Sequence, residues 1–442
     1  MADLEGPRPI PTRGFDVVVL GAGPAGMAAA VSASGGGLRV ALVDDNPDLG
    51  GQIWRNERAR PASREASAWF RKAREADFEA LTSTRVVGPA GPGALVAESS
   101  GRLVELAYDR LILATGAREL FLPFPGWTLP NVMGAGGLQA MVKSGLPISG
   151  KAVVVAGSGP LLLAVASALK KKGARVRAIV EQAPPARLAR FGLALRSEPG
   201  KLLQAAGLKF DLGLVPYRVG WWPVEATPRA DGSLGSLTIT DGRRLREEPC
   251  DYLACGFGLI PNLELPRLLG CAIDRDPEGT RVDPYQQTTA AGIFSAGEAT
   301  GIGGLEAATL EGQIAGLASS GHPDEARALF PARDKARRFA RSLDRAFAPR
   351  DELRHLPRPE TIVCRCEDVP ASALAGRTSW VDAKLQTRCG MGPCQGRICG
   401  GAVAFLHGWE PPSIRPPIFP VGVDHLAEAY RATTGDQATG WS

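Results

Sequence analysis

The sequence predicts an α/β protein made of two parallel-sheet dinucleotide-binding domains followed by a small cysteine-rich domain. Three observations carry that reading. The β-rich run Phe15 to Leu20 opens into Gly21-Ala22-Gly23-Pro24-Ala25-Gly26 and an alanine-rich helix through Ser34. The same design returns at Lys151 to Val155, ahead of Gly157-Ser158-Gly159-Pro160-Leu161-Leu162. Five of the chain's 8 cysteines crowd between Cys364 and Cys399.

At 442 residues the chain has length enough for two or three domains and a large core. Its 44% hydrophobic and 22% charged residues are ordinary for a soluble globular protein. The 54 glycines and 36 prolines follow no period, which excludes collagen-like repeats and suits many tight strand-to-helix turns. A net charge of +5 is too small to imply nucleic acid as a partner. Met1 to Gly14 is polar and proline-rich, without the apolar core of a signal peptide, and runs such as Leu161 to Leu169 are too short to span a membrane. These features predict a cytoplasmic protein, in which crowded cysteines signal metal ligation rather than disulfides.

In the first motif each glycine has its own role. Gly21 allows the tight turn, Gly23 the approach of a pyrophosphate, and Gly26 close helix–strand packing. Pro24 and Ala25 start the helix, whose free N–H groups face the phosphates. The next strand, Val40 to Val43, ends in Asp44 and Asp45, one of them placed to accept from a ribose hydroxyl. Strand phasing favours Asp44.

Gly50-Gly51-Gln52 is similar to the pyrophosphate-side loop of two-dinucleotide-domain flavoproteins. Ala114-Thr115-Gly116, after the run Leu111 to Leu113, resembles the strand end of the same family, and Gly292 to Glu298 resembles its second FAD motif. The resemblance implies FAD, with Gly297 beside it and an acid on the ribityl chain; Glu298 stands where most relatives carry Asp. It also implies that the helix after Gly303-Gly304 directs its N-terminus at the pyrimidine edge of the flavin, favouring negative charge there.

The second motif departs from the pattern, because Leu162 replaces the third glycine. Gly157 and Gly159 remain ahead of a helix from about Leu161 to Lys171, and Glu181 ends the next strand, Arg175 to Glu181, where it suits a ribose 2′-hydroxyl and argues against NADP more than for NAD. Two readings stand: an NAD(P) site, and a domain that keeps the fold without binding nicotinamide. Cys255-Gly256-Phe257-Gly258 and Leu259 to Asn262 return the chain to the first domain. The cysteine pair that disulfide reductases place beside the flavin is missing. Cys250 and Cys255 flank an extended strand that holds them too far apart to bond, and with Cys271 they read as small core residues. From Gly321 to Pro359 the composition turns to Arg, Ala and Pro, and Phe339, Leu343 and Phe347 form a stripe at i, i+4, i+8. That stripe predicts a connector helix packed on the main body, with docking of a partner chain as the alternative.

Cys364-Arg365-Cys366, then Cys389, Cys394 and Cys399, offer thiolates for a [2Fe–2S] cluster. Zinc also takes four thiolates, though its structural sites favour CxxC spacing. The CxC with a later glycine-rich pair resembles the bacterioferritin-associated ferredoxin type of domain. Val363 to Asp368 together with Arg388 to Arg397, which contains Cys394-Gln395-Gly396-Arg397, resembles one family over essentially the whole chain. These are FAD-containing subunits of hetero-oligomeric amine-type dehydrogenases such as opine oxidase, D-hydroxyproline dehydrogenase and the hydrogen cyanide synthase middle subunit. By that resemblance the cluster ligands are Cys364, Cys366, Cys394 and Cys399, with Cys389 in place of Cys399 as the alternative.

The resemblance implies a discontinuous FAD domain (1–145 and 263–330), an inserted NAD(P)-like Rossmann domain (146–262), a helical linker (331–358), and a [2Fe–2S] domain with a tail (359–442). It implies an electron-transferring subunit fed by a glycine-oxidase-like FAD-containing partner, with a respiratory acceptor and a small third subunit. Association with the inner membrane would come through that complex. An NADH-dependent reductase that feeds a partner protein is the alternative. No residues resemble a complete amine-oxidising active site, so none is assigned to catalysis.

Overall fold

A computed structural model describes residues 10–59, 63–411, 413–425 and 427. Most of the polar N-terminal segment and the end of the tail lie outside the described residues. Contacts divide the chain into two units: Met1–Ala117 with Pro261–Arg337 and Ser413–Ser442, and Arg118–Ile260 with Arg338–Pro412.

The first unit is built on a seven-stranded sheet in the order Glu79–Leu81, Val40–Val43, Thr12–Leu20, Arg102–Leu113, Ala94–Ser99, Thr84–Gly91. Ile293–Ser295 adds parallel to the end of Arg102–Leu113. Val40–Val43 is buried throughout, as expected for a strand covered on both faces. The helix Pro24–Ala33, with proline in its first turn, lies against the helix Gly304–Ser319. Their backbones touch at small residues: a Cβ on Gly312 would fall 2.0 Å from the Ala25 carbonyl oxygen, and one on Gly316 would fall 2.4 Å from that of Ala29.

The second unit holds a five-stranded parallel sheet in the order Tyr217–Val219, Arg175–Glu181, Ala152–Gly157, Tyr252–Gly256, Val132–Gly134. An antiparallel sheet of Trp222–Pro228, Leu234–Thr240 and Leu245–Pro249 joins it. The predicted helix Leu161–Lys171 forms over the expected residues. Leu162 is buried with Val153, Val155 and Val165, so the bulk at the third glycine position fills core between helix and sheet. The stripe of Phe339 and Phe347 lies on the helix Phe330–Phe347, and both rings pack on Phe191, at 6.1 and 5.6 Å.

The cysteine-rich segment belongs to this unit. Trp127 Nε1 donates to the Ile362 carbonyl at 2.6 Å, Arg118 Nε donates to the Arg397 carbonyl at 3.1 Å, and the Arg354 guanidinium lies 4.3 Å from the Phe405 ring centroid. Among the described residues no helix is long and apolar enough to cross a membrane.

Candidate functional site

Strand register gathers the first-site motifs. Leu20 pairs with Val43 and with Leu113, and Leu113 pairs with Ser295. Gly21, Asp44, Ala114 and Ala296 therefore leave the sheet at one edge, although they come from widely separated parts of the chain. Ligands of open parallel sheets bind outside the carboxyl ends of the strands.

The glycines at that edge have different surroundings. Gly21 has φ +100°, and a Cβ there would lie 2.2 Å from the Ala114 carbonyl oxygen; a Cβ on Gly26 would lie 1.7 Å from that of Gly21. A Cβ on Gly23 meets nothing within 4 Å, so the middle glycine faces open space of the kind a pyrophosphate needs. Gly51 sits against it, its added Cβ being 2.7 Å from Gly23 Cα, and the Gly50 N–H donates to the Ala22 carbonyl at 2.8 Å. Gln52 is exposed and accepts from Arg55 Nη2 at 2.9 Å.

Of the two acids, Asp44 reaches the glycine turn. One of its oxygens accepts the Ala22 N–H at 2.5 Å, and the other accepts the Asn46 N–H at 2.8 Å. Asp45 shares Asn46 with it, accepting from Asn46 Nδ2 at 3.1 Å, and lies 3.8 Å from Arg85. Burial, then the charge of Asp44, pushes the Asp45 carboxyl up.

The Ala114-Thr115-Gly116 turn is locked by Asn262. Thr115 Oγ1 donates to the Asn262 carbonyl and Asn262 Nδ2 donates to the Thr115 carbonyl, both at 2.9 Å, while the Asn262 N–H donates to the Gly116 carbonyl at 3.0 Å. Glu298 caps the helix Gly304–Ser319, accepting the Gly303 N–H at 3.0 Å and the Gly304 N–H at 2.9 Å; burial raises its pKa.

Sequence reasoning missed Glu311. It is 1% exposed, accepts the Gly297 N–H at 3.0 Å and Thr300 Oγ1 at 2.8 Å, and pairs with Arg337, whose Nη1 donates to the Gly301 carbonyl at 2.8 Å. The pair shapes the Gly297–Gly301 turn. Its one sequence signal is an acid within the alanine- and glycine-rich helix Gly304–Ser319. The open Gly23 loop at a helix N-terminus, beside an acid at a strand end, fits an adenine dinucleotide such as FAD.

The second edge has the same plan. Gly157 pairs with Glu181 and with Gly256, and its added Cβ would fall 1.8 Å from the Gly256 carbonyl oxygen. Glu181 is fully buried, accepts the Gly159 and Ala183 N–H groups at 2.8 Å each, and is pushed up to about 7 by burial.

In the cysteine module the short strand Ile362–Cys364, the left-handed cap Arg388 (φ +65°) of the helix Trp380–Thr387, and the start of the helix Cys399–His407 place three thiols together. The sulfurs of Cys364, Cys389 and Cys399 lie within 4.8 Å of one another and all three residues are buried. Cys389 and Cys399 hydrogen-bond to Cys364, holding its thiol down at about 2, while Cys389 is pushed up to about 12 and Cys399 is pushed up as well. The Gly390 N–H also donates to Cys364 Sγ, at 3.5 Å. Cys366 is exposed, Cys394 is half-buried, and the two thiols hydrogen-bond.

The expected ligand set is thus divided between a buried trio and an outer pair, with Cys389 inside the trio. Gly390 and Gly396 lie against Trp380, where added Cβ atoms would sit 2.7 and 3.2 Å from its ring, and Gly392 lies on Cys366 at 2.3 Å. The glycines let the loop fold over the thiols. An all-sulfur donor set with a backbone N–H aimed at one sulfur fits an iron–sulfur cluster, and it would also accept a tetrahedral thiolate metal.

The remaining cysteines are free and buried. Burial pushes the thiol of Cys250 up to about 12 and raises those of Cys255 and Cys271. They are core residues without the thiolate character of a redox pair.

Residues 15–315 match the family model described as pyridine nucleotide-disulphide oxidoreductase. The chain is 34% identical over 422 residues to hydrogen cyanide synthase subunit HcnB of Pseudomonas aeruginosa, covering 87% of this chain and 90% of that one. It is 33% identical over 492 residues to the A subunit of opine oxidase of Agrobacterium tumefaciens, covering 95% and 94%. Among solved structures, L-proline dehydrogenase from P. horikoshii shares the fold with a TM-score of 0.69 at 22% identity, over 95% of this chain and 80% of that one. The chain belongs to the pyridine nucleotide-disulphide oxidoreductase family and is an FAD-dependent oxidoreductase related to subunits of opine oxidase and hydrogen cyanide synthase.

Proposed function

We propose that this chain is the electron-transferring flavin and iron–sulfur subunit of a hetero-oligomeric dehydrogenase that oxidises an amino acid, an opine or a secondary amine. The partner is a glycine-oxidase-like flavoprotein, and the final acceptor is respiratory. The observation that carries the reading is the five-thiol module in the same chain as an FAD-type glycine edge. Its relatives are themselves named as subunits, which supports assembly with other chains. FAD would supply two-electron and one-electron redox chemistry and a [2Fe–2S] cluster one-electron chemistry.

The chain's own residues bind and tune. Gly23 and Gly51 leave room for the pyrophosphate, Asp44 holds the turn that faces the ribose, and Glu298 and Glu311 shape the loop of the second FAD motif. Cys364, Cys366, Cys394 and Cys399 would hold the cluster, with the Gly390 N–H facing Cys364 Sγ. The residue ranges given above for the discontinuous FAD domain, the inserted domain, the linker and the cluster domain belong to this proposal, as does a cytoplasmic location.

The test is anaerobic purification of the full chain, assay of iron and acid-labile sulfide, and stepwise reduction followed by flavin absorbance. About two irons per chain, with bleaching by dithionite and none by NADH or NADPH, supports a partner-fed carrier. A chain without iron overturns the reading. The second reading, an NADH-dependent reductase, draws on the Gly157-x-Gly159 turn and the buried Glu181 at its strand end; rapid stoichiometric bleaching by NADH would establish it.

A further inference from the structure

The sheet edge at Gly157 and Glu181 is covered by the chain itself. Ser158 Oγ donates to the Phe347 carbonyl at 2.6 Å. Gln182 Nε2 donates to Ser158 Oγ at 2.8 Å and to the carbonyls of Phe347 and Ala348, each at 3.3 Å. The Gln182 amide oxygen accepts the Arg350 N–H at 3.1 Å, and Arg187 Nη1 donates to the Ala348 carbonyl at 3.0 Å. Aromatic contacts anchor the segment at both ends: Phe347 meets the Phe191 ring edge-on at 5.6 Å, and the Arg350 guanidinium lies 3.8 Å from the Trp222 ring centroid.

Ser158 is the residue between the two glycines of the turn, and Gln182 directly follows the acid that would meet a ribose. A dinucleotide places its adenosine half between those two positions, in the crevice outside the strand ends. Here that crevice holds backbone, and both polar side chains at its mouth are hydrogen-bonded to it. The first domain differs at the equivalent turn, where Ala22 has no hydroxyl to hold a covering segment. A Cβ on Gly159 would meet nothing within 4 Å, so the obstruction lies at the adenosine end and not over the pyrophosphate turn.

We propose that Phe347–Arg350 occupies the adenosine end of the second dinucleotide site and thereby excludes pyridine nucleotides from this chain. The helix Phe330–Phe347 then serves as the arm that carries this plug, which explains its aromatic stripe. The exclusion stands on these contacts alone. Only its consequence, that reducing equivalents enter from a protein partner, rests on the electron-transfer reading.

The test is direct binding of NAD⁺ and of ADP-ribose to the full-length holoprotein by ligand-observed NMR, together with hydrogen exchange at the Arg350 amide. Wild type is expected to show no binding at about 1 mM of either probe and a protected Arg350 amide that neither probe changes. Gln182→Ala combined with Phe347→Ala, which removes the latch, should speed exchange at Arg350 and bring affinity for ADP-ribose into range, a gain of at least about tenfold. Binding of NAD⁺ by wild type below that concentration overturns the proposal, and this arm needs no variant. A double variant that retains its flavin absorbance, exchanges freely at Arg350 and still ignores ADP-ribose overturns it too. Neither readout depends on the cluster or on a partner, so failure here is distinct from failure of the electron-transfer reading.

Discussion

The Glu311 carboxylate accepts the Gly297 N–H at 3.0 Å while it pairs with the Arg337 guanidinium, and the two side chains are only 2% and 17% exposed. Removing one member of such a buried pair strands the other charge away from water, which costs about 3–5 kcal/mol. Arg337→Met is therefore expected to destabilise the chain by that amount and to loosen the Gly297–Gly301 turn. Urea unfolding gives the stability, and flavin release at equal denaturant gives the effect on the turn. A double replacement of Glu311 and Arg337 by leucine should lose much less stability, because no unpaired charge remains. Equal losses in the single and double variants would contradict this account.

Gly23 and Gly26 should respond differently to alanine. At Gly26 the new methyl collides with the Gly21 carbonyl, and overpacking of this kind costs about 1–3 kcal/mol. Gly26→Ala should thus lower the melting temperature and flavin content together. Gly23→Ala meets no protein atom within 4 Å, so the apoprotein should melt like wild type while flavin content falls. Full flavin content in Gly23→Ala would show that the open space is not where the pyrophosphate lies.

The thiol module makes a sharp comparison between Cys389 and Cys399. With Cys364, Cys366, Cys394 and Cys399 as ligands, serine at Cys399 should abolish the cluster, while serine at Cys389 should keep the iron and sulfide content. Iron assay and electron paramagnetic resonance of the reduced protein report both. Loss of iron in Cys389→Ser with retention in Cys399→Ser would move the fourth ligand to Cys389, inside the buried trio.

Glu181 supplies a pH dependence of defined sign. Burial raises its carboxyl from 4.5 to about 7 in the folded chain, so between those values the folded state binds more protons than the unfolded one. Stability contributed at this site is full below pH 4.5 and falls as pH rises toward 7, by up to about 3 kcal/mol. Glu181→Gln keeps an acceptor for the Gly159 N–H and removes the titration. Its stability relative to wild type should therefore improve from pH 5 to pH 8, about 1 unit beyond the upper end of the transition, as measured by urea unfolding at each pH. A constant difference across that range would refute the assignment.

Much of the architecture was legible because its signals are local. Val40–Val43, Leu161–Lys171 and Arg175–Glu181 form over the residues expected from apolar runs and glycine turns. Strand phasing singles out Asp44 over Asp45 for the ribose, and the hydrogen bond from the Ala22 N–H to Asp44 is a separate contact that the finished sheet supplies. Leu162 was less legible. The motif marks it as a departure from the third glycine, and only the packed helix shows that its side chain fills the domain core.

By itself the sequence determined the two glycine edges and the soft donor set of the C-terminal module. Each depends on backbone freedom or ligand chemistry within a few residues. The tertiary structure alone decided three other things: Glu311 meets Arg337, Cys389 joins Cys364 and Cys399, and Phe347 closes over Ser158 from 189 positions away. Contacts at such separations follow from how helices and loops pack on a finished sheet, and no local periodicity encodes which face a distant segment will cover.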